Sequence, residues 1–167
     1  NRLPVEKPAG YDPEKLKTLE FSSIVAPIPN LKHGWNRPQL VGPHNDYIEA
    51  DWPTRRRVMD QHWQAMLGLL YFLQNDPSVP DARRAEWRNY GLAKDEFPDN
   101  GHRPYEFYVR EARRLSGRYV FTQHDASLAP GLQRAPVHGD SIGITEWYMD
   151  AHACTTDRVP GSLDEGK

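Results

Sequence analysis

Apolar residues recur at helical spacing over one long stretch of the chain. Met59, Trp63, Met66, Leu70 and Leu73 fall on one face of a segment that starts at Thr54, a residue suited to cap it behind Pro53. Between Ala65 and Leu73 the segment is apolar on nearly every side, which predicts a long apolar helix lying beneath other elements and ending near Asn75-Asp76-Pro77. Met59 and Met66 are core filler on this reading. His62, beside Trp63, is a satisfied structural histidine. A second, amphipathic helix is expected from Pro80 to Tyr90, with Asp81 near its start and Gly91 as its stop. Asp12-Pro13 opens a shorter one over Glu14 to Leu19.

The pattern changes from Pro104 to Asp125. Tyr105, Phe107, Tyr108, Val109, Tyr119, Val120 and Phe121 fit a sheet better than a helix, which predicts one or two strands turning at Ser116-Gly117, with a helix across Glu106 to Leu115 as the alternative. A last strand is expected over Ser141 to Met149. Long loops run from Ser22 to Pro43 and from Ala129 to Gly139, punctuated by proline and glycine. The acidic turns at Lys94 to Phe97 and Asp99 to His102 lack the ligand order of an EF-hand. The expected class is therefore α+β: a small antiparallel or mixed sheet, a long apolar helix and extended loops, as a single domain or an excised fragment.

Length and composition narrow the possibilities. A chain of 167 residues holds one domain with a real core but not two large ones. With 38% hydrophobic residues, 26% charged residues, 15 Pro and 12 Gly it reads as loop-rich and globular rather than disordered. A net charge of −2 argues against a general nucleic-acid binder. No apolar run approaches the ~20 residues that span a bilayer. Cys154 stands alone, so no internal disulfide forms. Asn1-Arg2-Leu3-Pro4 offers neither an initiator methionine nor a signal-peptide core, and the chain is expected to come from something longer.

Several local signatures are missing. Within the 167 residues there is no G-x-G-x-x-G, no complete G-x-x-x-x-G-K-[ST] phosphate cradle and no H-E-x-x-H. Three groups of residues remain as candidates. Arg110, Arg113 and Arg114 lie among aromatic and β-branched neighbours, where a guanidinium needs a carboxylate, a carbonyl or a ligand. They either form a structural network with acids such as Glu111 or grip an anionic ligand. His124-Asp125 and Asp150-x-His152 close two expected strands; brought together, they can carry out acid/base work or hold a metal. In the first long loop, Lys32, Trp35 and Asn36 either line a pocket or belong to a loop pinned by one buried tryptophan.

Longer motifs carry a resemblance. Lys7-Pro8-x-Gly10-Tyr11-Asp12-Pro13, Leu70 to Pro80, Gly91 to Phe97, Tyr108 to Leu115, Thr122 to Asp125, Asp140 to Gly143 and Met149-Asp150-x-His152 are similar to the middle section of a family of bacterial FAD-dependent oxidoreductases. The resemblance implies the substrate-side part of a glutathione-reductase-like flavoprotein, with FAD bound mainly by other parts of the parent. The expected partners are a small-molecule substrate and the parent's FAD-binding domain. Arg110, Arg113 and Arg114 would then bind an anionic substrate group or the flavin side of the pocket, whereas the loop of Lys32, Trp35 and Asn36 matches the family less closely and these three stand as substrate- or cofactor-binding candidates on their residue types alone. His124 and His152 would be the acid/base groups, oriented by Asp125 and Asp150. Two other classes stand beside this one: a non-catalytic binding module, and a small metal-dependent enzyme centred on the His-Asp clusters.

Overall fold

Asp51 sets the start of the longest element. Its carboxylate accepts from Thr54 N–H at 2.9 Å, and Pro53, which has no N–H to leave unsatisfied, occupies the first turn. The helix that follows, α1, spans Trp52–Asn75 in a computed structural model that describes residues 2–17, 26–28, 32–34, 40–109 and 112–144. It starts a few residues before Thr54 and ends where expected. It is long, but it is not apolar along its length. Arg55, Arg56, Arg57, Asp60, Gln61, His62 and Gln64 fill its first half, and burial concentrates in Gly68, Leu69, Leu70, Phe72, Leu73 and Gln74, with Val58 alone upstream. The buried face also differs from the expected one. Leu70 and Leu73 are buried as expected, but Met66 is 40% exposed, whereas Leu69 and Phe72, off the expected stripe, are sealed.

The chain divides into two units, Asn1–Glu111 and Ala112–Lys167. In the first, Val5, Leu69, Leu70, Phe72, Leu73, Val79 and Trp87 form the core, with Tyr11, Leu16, Leu67, Tyr71, Tyr90 and Leu92 packed at its margin. Each such side chain contributes about 1.5–3 kcal/mol of transfer free energy. The second helix, α2, spans Asp81–Trp87 and packs on α1 through Trp87. A buried amide ties the two helices together: Gln74 Nε2 donates to Trp87 O and Tyr90 O, each at 3.0 Å, and Arg88 Nε donates back to Gln74 O at 2.9 Å. The predicted short helix is a 3-10 turn at Pro13–Lys15, capped by Asp12, which accepts from Glu14 N–H at 3.1 Å.

The strands are short. β1 (Arg2–Leu3), β2 (Ala26–Ile28), β3 (Lys32–Gly34) and β4 (Leu92–Ala93) make two antiparallel ladders, β1 with β4 and β2 with β3. In the first, Arg2 stands opposite Ala93 and Leu3 opposite Leu92. Gly91 permits this approach, since a Cβ there would stand 2.2 Å from Leu3 O. The architecture is mixed α+β, with antiparallel pairing.

The second unit corrects a larger expectation. Among its described residues, 112–144, there is no strand, and the one helical turn is α3, Gln123–Ala126. Residues 104–109 are likewise neither strand nor helix. Leu115, Val120, Phe121 and Ile142 face outward, Leu115 at 95% exposure. β-branched and aromatic residues favour a half-buried pleated surface, and without a paired neighbour they do not form one. Residues 145–149 of the last expected strand lie outside the described residues.

Candidate functional site

Thr122 and Asp125 begin the site with a local exchange. Asp125 N–H donates to Thr122 O at 3.1 Å, while Asp125 Oδ2 accepts from Thr122 N–H at 2.7 Å and from Thr122 Oγ1 at 2.8 Å. A side chain three residues into a helical turn has reached back to its cap, which fixes the carboxylate. Asp125 Oδ1 then accepts the Tyr119 hydroxyl. With three donors on two oxygens, the carboxylate is held ionised. The hydrogen bond from Tyr119 and those from Thr122 bring Asp125 down to about 2, with the nearby His138 imidazole adding to the effect. The same bond pushes the Tyr119 phenol up.

His138 completes the cluster from the loop beyond. Its Nε2 lies 3.6 Å from Asp125 Oδ1, with the Asp125 side chain 11% exposed and that of His138 31% exposed. Nε2 is buried and has no hydrogen-bond partner. The rings of Tyr119 and Phe121 flank the imidazole, with centroids at 5.2 and 6.0 Å and tilts of 59° and 49°. The loop end is fixed by Ser141, whose N–H and Oγ donate to His138 O at 3.1 and 2.8 Å. The arrangement is a fixed carboxylate facing an imidazole that has two aromatic rings beside it.

The predicted site residues have different fates. Asp125 is central, but it turns to Tyr119, Thr122 and His138 rather than to its neighbour His124, which is exposed on α3. Arg113 and Arg114 are exposed, so the premise of guanidiniums carried into apolar surroundings does not hold for them. The buried polar side chain of the described core is Gln74. Arg110, Trp35, Asn36, Asp150 and His152 lie outside the described residues, and Lys32 is described only by its backbone in β3. Among the described residues no three metal-ligating side chains converge. His138 and Tyr119 went unrecognised in the sequence. The Thr122-x-x-Asp125 spacing was the available signal, because it marks a capped turn that binds the carboxylate to its own backbone.

A second polar cluster, in the first unit, has a different character. Arg103 pairs with Asp60 of α1 and stands 5.8 Å from the Trp63 ring centroid. His62 donates Nδ1–H to Val58 O at 2.9 Å and meets Phe107 edge-on at 5.1 Å. Arg55 donates to Tyr47 O and Ile48 O at 3.0 and 2.7 Å. These contacts fasten the flanking turns to α1, and His62 is the satisfied histidine its position predicts.

No helix among the described residues is long and apolar enough to cross a membrane. The sequence model of one family, FAD dependent oxidoreductase, matches residues 1–165. No curated protein and no solved structure matches the chain.

Proposed function

The chain belongs to the FAD dependent oxidoreductase family, and from that premise we propose that it supplies the substrate side of such an enzyme, with the flavin held mainly by another part of the parent protein. The observation that carries this reading is the extent of the family match, residues 1–165, over a chain with no dinucleotide fingerprint. The described residues do not fit FAD as a cradle of their own. Their strands pair antiparallel in twos, without the parallel strand-helix-strand unit that presents a glycine-rich turn to a pyrophosphate. α1 opens on Asp51, Pro53 and three arginines instead of glycines. In such a division of labour the cofactor brings the redox chemistry, and this segment brings binding, orientation and electrostatics toward a small-molecule substrate.

On this reading Arg110, Arg113 and Arg114 take the role of meeting an anionic substrate group, which the fork-shaped guanidinium suits. Asp125 supplies fixed negative charge beside His138, and His124, exposed on α3, is another acid/base candidate of this unit. His152 and Asp150 are the corresponding pair toward the C-terminus.

Absorption spectroscopy tests the reading. The purified chain, mixed with FAD and passed through gel filtration, is expected to emerge colourless, and to co-elute with a flavin-loaded parent domain lacking this segment. Flavin bands that stay with the isolated chain would overturn the substrate-side assignment.

A further inference from the structure

We propose that His138 is the proton acceptor of a binding site for a small flat molecule bearing an acidic hydroxyl, a phenol, with Asp125 as its positioning residue. The proposal deepens the substrate-side reading by naming a ligand class, but its test needs no flavin. Four features of the second unit support it.

The first is the state of the imidazole. Nε2 is buried, unpartnered and 3.6 Å from Asp125 Oδ1, so in the neutral ring the proton belongs on Nε2, facing the carboxylate. A buried polar atom left in this way is uncommon and points to a role. Nδ1 is then the acceptor. The His138 side chain is 31% exposed while its Nε2 is buried, and no described residue makes a hydrogen bond to Nδ1, which leaves that edge of the ring for a ligand.

The second is the carboxylate's inability to turn away. Tyr119 O–H, Thr122 N–H and Thr122 O–H hold it from three directions. An imidazolium formed at His138 therefore meets a charge already in place, and a small approach from 3.6 Å gives a charge-assisted hydrogen bond of about 2.7–2.9 Å. Among the described residues, Asp125 and Tyr119 are the titratable groups that face the ring.

The third is the pair of walls. Tyr119 and Phe121 stand beside the imidazole and remain 61% and 63% exposed. Exposed aromatic faces next to a base favour a flat ring that stacks or meets them edge-on, and each such pairing contributes about 0.5–1.5 kcal/mol beyond burial.

The fourth is the charge balance. The ligand O–H bond breaks, its electron pair stays on oxygen as phenolate, and the proton bonds to Nδ1. The resulting imidazolium is neutralised by Asp125.

The probe is 4-nitrophenol, whose phenolate has its own visible band. Titrating the 167-residue chain into the probe at constant pH is expected to raise that band saturably, with H138Q reducing the rise at least tenfold and D125N reducing it less. His102→Gln, in the first unit, is the control expected to match the parent. Long-range proton–nitrogen NMR of the unmodified chain is expected to find His138 as the Nε2–H tautomer, and to find a mixture in D125N. This arm does not require H138Q to fold. A band that fails to rise, a rise that survives H138Q, or an Nδ1–H tautomer in the unmodified chain overturns the proposal. A chain that ignores FAD and still deprotonates the probe keeps the site, whereas one that retains FAD and leaves the probe unchanged loses the site and the substrate-side reading separately.

Discussion

Gln74 donates its side-chain amide to the carbonyl of Trp87 at 3.0 Å, from a position only 7% exposed on the buried face of α1. The same amide reaches Tyr90 O at 3.0 Å, so one side chain satisfies two carbonyls where α2 ends. Gln74→Leu keeps the volume and removes both donors. It is expected to destabilise the chain by about 1–3 kcal/mol, since the carbonyls left behind keep their desolvation cost. Urea unfolding checks this, and a midpoint unchanged by the substitution would mean that water replaces the amide.

Phe72 and Met66 separate the observed core face from the expected one. Phe72 is fully buried and Met66 is 40% exposed. Phe72→Ala is expected to cost about 3–5 kcal/mol, and Met66→Ala well under the 2–5 kcal/mol typical of a buried methionine. Equal losses in thermal or urea melts would restore the face drawn through Met66.

How much could be read in advance follows from the range of each interaction. The end of α1 and the start of α2 were legible because caps and proline act within a few residues, whereas α2 stops at Trp87, short of the end at Tyr90 and the stop at Gly91 that its pattern predicted. The choice between Met66 and Leu69 was not, because it depends on where Val5, Val79 and Trp87 come to lie. At the site, Asp125 was recognised and its companions were not. Tyr119 and His138 lie six and thirteen residues from it in sequence, on segments whose meeting no periodicity announces. Reading strands around the arginines took aromatic composition as evidence of burial, yet Tyr119, Val120 and Phe121 are exposed together.

Gly91 is a position where the fold has no room for a side chain. A Cβ would stand 2.2 Å from Leu3 O, a backbone atom in the β1–β4 ladder, so relief requires the strand to move. Gly91→Ala is expected to destabilise by about 1–3 kcal/mol and to speed amide exchange in Leu3 and Ala93. Gly139→Ala, where nothing lies within 4 Å of the added carbon, is the neutral comparison. If the two variants exchange and melt alike, the close approach of β1 to Gly91 is wrong.

Asp125 makes the site's stability depend on acid in a defined direction. Its folded pKa of about 2 lies below the ordinary aspartate value of 3.8, chiefly through the Tyr119 hydroxyl. A carboxyl with a depressed folded pKa contributes stability that is fully present above its unfolded pKa, and that contribution disappears as pH falls through the folded value. The loop joining Tyr119, α3 and His138 is therefore expected to hold through neutral and mildly acidic conditions and to loosen between about pH 4 and pH 2. Carbon-detected NMR of the Asp125 carboxyl is expected to give a midpoint near the lower end of that window. Tyr119→Phe removes the largest contribution and is expected to move the midpoint upward, and Asp125→Asn removes the acid dependence of the neighbouring shifts. A midpoint near 3.8 that Tyr119→Phe leaves in place would show that the tyrosine does not hold the carboxylate, whose position beside His138 would then rest on Thr122 alone.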